Sequence, residues 1–176
     1  YAGNPFKFEN VVFTGGANQQ RWGRLVIGEA VSDPVLALDV PVTAEYYDGA
    51  AFVTNADDDC SAFVLAGDVK LSNEATGSPQ NGDQPMNIGA GTTSVTSGDG
   101  LLLNGADLMT FSAPGAGNTG LVDITLDLDT TVNGADLPWL FFDWDGDGTF
   151  DTTTSGRASF GIISGPESVI YSREPW

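Results

Sequence analysis

Leu36-Ala37-Leu38-Asp39-Val40-Pro41-Val42-Thr43-Ala44-Glu45-Tyr46 decides the fold of this chain. Its apolar residues recur at every second position, the period of a strand that buries one face and wets the other. Val122-Asp123-Ile124-Thr125-Leu126-Asp127-Leu128-Asp129 repeats the pattern, with carboxylates along the outward face. Pro41 has no amide hydrogen, which predicts that the first strand lies at a sheet edge or beside a bulge. Further strands are expected at Phe6 to Phe13, Trp22 to Val31, Ala51 to Val53, Ala62 to Leu71, Leu101 to Leu103, Leu108 to Ser112, Trp139 to Phe142, Ala158 to Ile163 and Val169 to Tyr171.

Turn signals separate these runs: Asp33-Pro34, Asp48-Gly49, Asn81-Gly82, Asp99-Gly100 and Asn118-Thr119-Gly120. No segment carries helical periodicity. Many short strands at this spacing predict an all-β chain, an antiparallel β-sandwich with long loops and an Asp-rich loop. Asn73 to Gly91, rich in Gly, Pro, Ser, Asn and Gln, reads as a long surface loop and the most flexible stretch. The pentapeptide Asn-Gly-Ala-Asp-Leu occurs at Asn104 to Leu108 and again at Asn133 to Leu137. Both copies read as turns, and their flanks do not repeat, which argues against a solenoid. Gly115-Ala116-Gly117-Asn118-Thr119-Gly120 matches a dinucleotide fingerprint in spacing alone and reads as a turn.

A chain of 176 residues suits one domain, residues 1–176, with residues 1–20 as an extended arm or linker. Six Lys and Arg against 24 Asp and Glu give a formal charge of -18, which repels nucleic-acid phosphates and anionic lipid. Such a surface, with Lys7 and Lys70 as the lysines, suits salt-rich or calcium-rich surroundings and points to an extracellular setting. No stretch approaches the roughly 20 apolar residues of a membrane span, so membrane insertion is not expected. The chain opens at Tyr1 rather than Met, as a processed product or excised fragment would. Cys60 is the single cysteine, either a buried thiol or half of a bridge to another segment. With no histidine, neither a Ser-His-Asp nor a Cys-His nor a His-based zinc site can be built, and no enzymatic role is expected.

The strongest chemical motif is Asp143-Trp144-Asp145-Gly146-Asp147-Gly148-Thr149-Phe150-Asp151. Ca²⁺ takes six to eight oxygens, and the EF-hand loop draws them from positions one, three, five, seven and nine around a glycine at six. Counted from Asp143, the matches are Asp145, Asp147, Gly148, the Thr149 carbonyl and Asp151. Position twelve departs from the pattern, with Thr154 in place of a bidentate Glu, and no helices flank the loop. The reading is a strand-joining loop in which calcium acts as a structural brace. The plainer alternative is a solvated Asp- and Gly-rich turn. A second cluster, Asn55, Asp57, Asp58 and Asp59, lacks glycine and alternate spacing. It either holds a second cation or caps backbone amides. Trp22, Tyr46, Tyr47, Trp139, Trp144 and Tyr171 are core residues or a sugar-stacking surface. Trp144, at a non-ligating loop position, is either a lid over apolar residues or a partner contact.

Three blocks carry a family resemblance. Arg21 to Leu25 with Pro41 to Gly49 and Phe52 to Asn55 form the first, Trp139 to Gly148 the second, and Arg157 to Ile162 with Ile170 to Glu174 the third. In order and spacing they resemble the C-terminal region of MshQ-like proteins, large secreted proteins associated with mannose-sensitive haemagglutinin type IV pili. The resemblance implies a cell-surface location in a pilus or adhesion context. It also places the Asp-rich loop among the family's recurring features, with the ligand types kept here by Asp143, Asp145, Asp147 and Asp151. The resulting expectation is a non-enzymatic, Ca²⁺-stabilised extracellular domain of a bacterial surface adhesin or pilus-associated protein, with neighbouring domains or pilus components as partners. Two alternatives stand beside it. One is a homo-assembling fibre subunit that adds Phe6 to Phe13 to a neighbour's sheet edge. The other is a calcium-dependent carbohydrate-binding module with a glycan partner.

Overall fold

The computed structural model describes residues 22–76, 78–97, 100–128, 137, 140–150 and 153–161. Among them are fourteen strands and no α-helix. In chain order these are β1 (Gly23–Ile27), β2 (Glu29–Ser32), β3 (Leu38–Tyr47), β4 (Phe52–Thr54), β5 (Ala62–Phe63), β6 (Val69–Ser72) and β7 (Gln80–Asn81). There follow β8 (Met86–Ile88), β9 (Gly91–Thr93), β10 (Val95–Ser97), β11 (Gly100–Leu101), β12 (Ala106–Phe111), β13 (Gly120–Leu126) and β14 (Ser155–Phe160). One sheet runs β1-β3-β12-β10, with β4 on the C-terminal half of β3, and a second runs β2-β14-β13-β6-β7. All pairings are antiparallel except β2 with β14. The short β8–β9 hairpin and the long-range pair of β5 with β11 complete a sandwich-like all-β fold.

The period-two pattern of β3 is realised residue by residue: Leu38, Val40, Val42 and Ala44 are buried, while Asp39 and Pro41 face solvent. From the other sheet Val69, Leu71, Val122, Ile124, Leu126, Ala158 and Phe160 meet them in one apolar cluster. Removing this surface from water is the main favourable contribution to the fold, at about 25 cal/mol per Å².

Four expectations are corrected. Pro41 lies neither at an edge nor beside a bulge, because β3 is flanked by β1 and β12. It is tolerated because β1 ends opposite it. The Pro41 carbonyl accepts from the Gly28 amide at 2.8 Å, so the missing N–H faces Gly28, whose own carbonyl accepts instead from Arg157 N of the other sheet at 3.3 Å. The expected strand from Trp22 to Val31 is therefore two strands in two sheets, divided at Gly28. Asn73 to Gly91 is not a structureless loop either: it holds β7 and β8, and Met86 and Ile88 are buried in the core. The segment from Leu140 to Phe142 follows a turn, with Leu140 N donating to the Leu137 carbonyl at 3.0 Å, instead of extending a strand. Residues 1–20, the strand expected at Val169 to Tyr171, Trp139 and Asp151 lie outside the described residues. No helix among the described residues is long and apolar enough to cross a membrane.

The corner at Gly28 leaves no room for side chains. A Cβ on Gly28 would sit 2.6 Å from Pro41 Cγ, and one on Gly156 would strike Ile27 Cγ2 and the Gly28 carbonyl. Gly156→Ala is expected to cost about 2 kcal/mol by overpacking. Urea unfolding should show a lower midpoint at unchanged slope, and an unchanged midpoint would refute the close-packed corner.

Candidate metal centre

The Asp-rich loop is held to the sandwich at both ends. At its start Phe142 packs against Trp22, with ring centroids 5.7 Å apart, and against Phe52 of β4 at 5.3 Å. Trp144 lies 5.0 Å from Phe142, and Phe150 closes the cluster 6.0 Å from both Trp22 and Phe142. The Arg24 guanidinium of β1 lies 4.0 Å from the centre of the Phe52 ring, 5.3 Å from that of Phe142 and 4.9 Å from that of Trp144. Its Nε and Nη2 reach Glu45 Oε2 of β3 at 2.8 and 2.7 Å. At the loop's end Thr154 is buried and its hydroxyl accepts from Ile27 N at 3.1 Å. The residue at position twelve thus belongs to the sheet corner.

Between these anchors the chain folds back on itself. Gly146 and Gly148 have φ of 75° and 88°, which glycine adopts without a Cβ penalty. Gly148 N donates to Asp143 Oδ2 at 3.1 Å, Asp147 N to Asp145 Oδ1 at 3.4 Å, and Thr149 N to Asp147 Oδ1 at 2.8 Å. The Thr149 hydroxyl and then its amide hold the Asp147 carboxyl below the usual carboxylate range, so it is ionised at neutral pH. One carboxylate oxygen each from Asp143, Asp145 and Asp147 lies within 4.8 Å of the others. Two oxygens sharing one Ca²⁺ at 2.3–2.6 Å are at most about 5 Å apart, so the three fit a single ion. Asp143 Oδ1 is buried and has no hydrogen-bond partner.

A family model described as DUF6701, fourth domain, matches residues 21–175. The chain belongs to this family. No curated protein and no solved structure matches the chain.

Of the expected ligands in this DUF6701 domain, the structure brings Asp143, Asp145 and Asp147 together, with Thr149 bonded to Asp147; Asp151 lies outside the described residues. Trp144 packs on Phe142 and beneath Arg24 while remaining partly exposed, which combines the lid with an accessible surface. Asn55, Asp57, Asp58 and Asp59 behave differently. Asp58 is buried and accepts from Ser61 N at 2.9 Å, Cys60 N at 3.2 Å and the Ser61 hydroxyl at 2.8 Å. Asp59 Oδ1 accepts from Asn104 N at 2.7 Å, and the Asp58 carbonyl accepts from Gly105 N at 2.8 Å. These bonds clamp the Asn104-Gly105 turn, whose φ values of 53° and 72° suit a tight hairpin. Asn55 N donates to the Ala44 carbonyl at 2.8 Å, and Asp57 is exposed. The cluster makes no group comparable to the Asp143 triad among the described residues, and its geometry is that of amide capping. Cys60 is exposed, not buried, and the charge of Asp58 pushes its thiol up, away from the reactive thiolate.

Sequence reasoning missed Arg24, Phe52, Phe142 and Phe150 as partners of the loop. The available signal was spacing: Trp22 and Arg24 share one face of an extended segment, and Phe142 and Trp144 alternate with Asp143 and Asp145.

Burial alone would raise Asp58, but the amides and hydroxyl of Ser61 and the Cys60 groups more than offset it and leave its carboxyl lowered. A depressed folded value contributes stability above the unfolded value, and that contribution is lost as pH falls through the folded one. Asp58→Asn is therefore expected to cost about 2 kcal/mol at pH 7, with the deficit shrinking below about pH 4. Urea unfolding at both pH values tests this, and a deficit independent of pH would contradict it.

Proposed function

We propose that this chain is a non-enzymatic, calcium-stabilised extracellular domain of a bacterial surface adhesin or pilus-associated protein, in which the metal braces the Asp143–Asp147 loop. The observation that carries this reading is the buried, unpartnered oxygen of Asp143 beside the carboxylates of Asp145 and Asp147. A buried polar atom without a partner is costly, and three clustered carboxylates repel one another. One divalent cation would relieve both costs. Hard oxygens without nitrogen or sulfur donors favour calcium or magnesium over softer metals, and calcium tolerates the irregular geometry of such a loop.

Surface location and a pilus context are supported by the resemblance to the C-terminal region of MshQ-like proteins and by the charge of -18, which calcium- and salt-rich surroundings accommodate. In this role the domain holds neighbouring domains or pilus components in place. The loop would act as a clip: binding stabilises only the folded state, by about 2.7 kcal/mol at a hundredfold excess over Kd.

Asp145→Ala is expected to lower the Tm in millimolar calcium and to change it little in chelator. Asp145 is exposed, so any loss beyond the metal contribution should be small. Scanning calorimetry decides the matter, since equal losses with and without calcium would remove the metal from the account.

A further inference from the structure

The rings that anchor the Asp loop are more exposed than anchoring requires. The exposed large aromatics of the described residues are Trp22 at 50%, Tyr47 at 40%, Trp144 at 39% and Phe150 at 54%. All four belong to one cluster, built on Phe52 and Phe142. Scattered exposed apolar residues are ordinary, but a contiguous aromatic patch marks a binding surface.

The patch adjoins a shaped cleft. Trp144 also lines a cavity of about 410 Å³ whose other walls include Glu29, just past the Gly28 corner, and Thr153, Thr154 and Ser155. Ligand sites combine apolar walls with a few polar groups that fix orientation, and this volume falls in their usual range. Here the walls are an indole, the aliphatic Val26 and Ile27, a carboxylate and the hydroxyl residues Thr153 and Ser155, with Thr154 buried at the back and its hydroxyl already bonded to Ile27 N.

Charge narrows the occupant. An anion would meet Glu29, the Asp triad and a chain of charge -18. A cation would compete with Arg24, which already lies over Phe52, Phe142 and Trp144 and is paired with Glu45. A neutral ligand that offers apolar C–H faces to the indole, Val26 and Ile27 and hydroxyl groups to Glu29, Thr153 and Ser155 suits these walls. Sugars have that chemistry.

We propose that the cleft between Trp144, Glu29 and the Thr153–Ser155 segment binds a neutral saccharide, with the exposed rings of the adjoining cluster extending the surface along a longer chain. Trp144 supplies the stacking face and Glu29 accepts from sugar hydroxyls. This goes beyond the calcium reading and stands on different atoms.

Electrophoresis of the whole chain through native gels cast with dextran, galactomannan or xyloglucan, in calcium, tests the proposal. Retardation in at least one gel is expected, weakened about tenfold in Trp144→Ala, the scale of one aromatic contact. Glu29→Gln, at an exposed position, should weaken it too and keeps the test decisive if the first variant folds poorly. No retardation in any gel, or retardation that neither variant alters, would overturn the site. Dimerisation lost in Trp144→Ala, without retardation, would assign the face to a second copy and overturn it equally. Calcium titration of the same samples separates the two readings: metal binding without retardation sinks the saccharide site alone, and Trp144-dependent retardation without metal binding sinks only the brace.

Discussion

A single close-packed corner fixes how the two sheets meet. The chain leaves β1 at Gly28 and enters β2 in the opposite sheet, and the crossing works because three residues omit something. Gly28 and Gly156 omit side chains, and Pro41 omits an amide hydrogen that would have had no carbonyl to bond once Gly28 turned toward Arg157. The same corner receives the Thr154 hydroxyl at Ile27 N. The packing that joins the sheets therefore also sets where the Asp-rich loop must end.

Where the loop begins is set by different physics. Phe142 and Trp144 alternate with Asp143 and Asp145, so the aromatic rings pack toward β1 and β4 while the acids converge beside them. Arg24 joins the two halves, over the Phe52 ring and bonded to Glu45, its direct cross-strand partner in the β1–β3 register. A lysine could neither stack nor bond in this way, because the contact needs a planar guanidinium with more than one donor.

Much of this was legible in the sequence, and what was not has identifiable causes. The alternation in β3 and β13 shows directly because each buries one face of a long strand. The Gly28 division was hidden because the inward positions change phase there, from Leu25 and Ile27 to Ala30, within a run too short and too uniformly apolar to show it, and Pro41 misled because an edge is the commonest, though not the sole, place without an amide partner. Met86 and Ile88 were obscured by polar neighbours around a three-residue strand. The Asp143 triad was readable because ligand spacing within one loop is a local property. The aromatic cluster was not, since Trp22, Phe52 and Phe142 meet only through tertiary pairing. For the second acidic cluster, composition left a cation and amide caps both open, and the amides of Ser61 and Asn104 on Asp58 and Asp59 are the bonds the capping alternative names.

The distribution of positive charge gives the Asp loop its significance. Only six lysines and arginines offset 24 acids, so the position of each one matters. Arg24 faces Glu45, and Arg157 faces Asp123, each in direct cross-strand register. Lys70 donates to Asn81 on the neighbouring strand at 2.9 Å. An exposed pair such as Arg157–Asp123 contributes roughly 0–1 kcal/mol, so its main effect is to set register and reduce repulsion within a sheet; the Arg24–Glu45 pair is half-buried. Among the described residues no lysine or arginine pairs with Asp143, Asp145 or Asp147, although the Arg24 guanidinium lies only across the Trp144 ring. The three described cations, Arg24, Lys70 and Arg157, are engaged on neighbouring strands and aromatic faces and leave these carboxylates without a cationic partner among the described residues. Mobile monovalent ions balance such charge weakly at a buried oxygen such as Asp143 Oδ1. A bound divalent ion would do it at one point, so the charge of the chain and the geometry of Asp143, Asp145 and Asp147 support the same proposal.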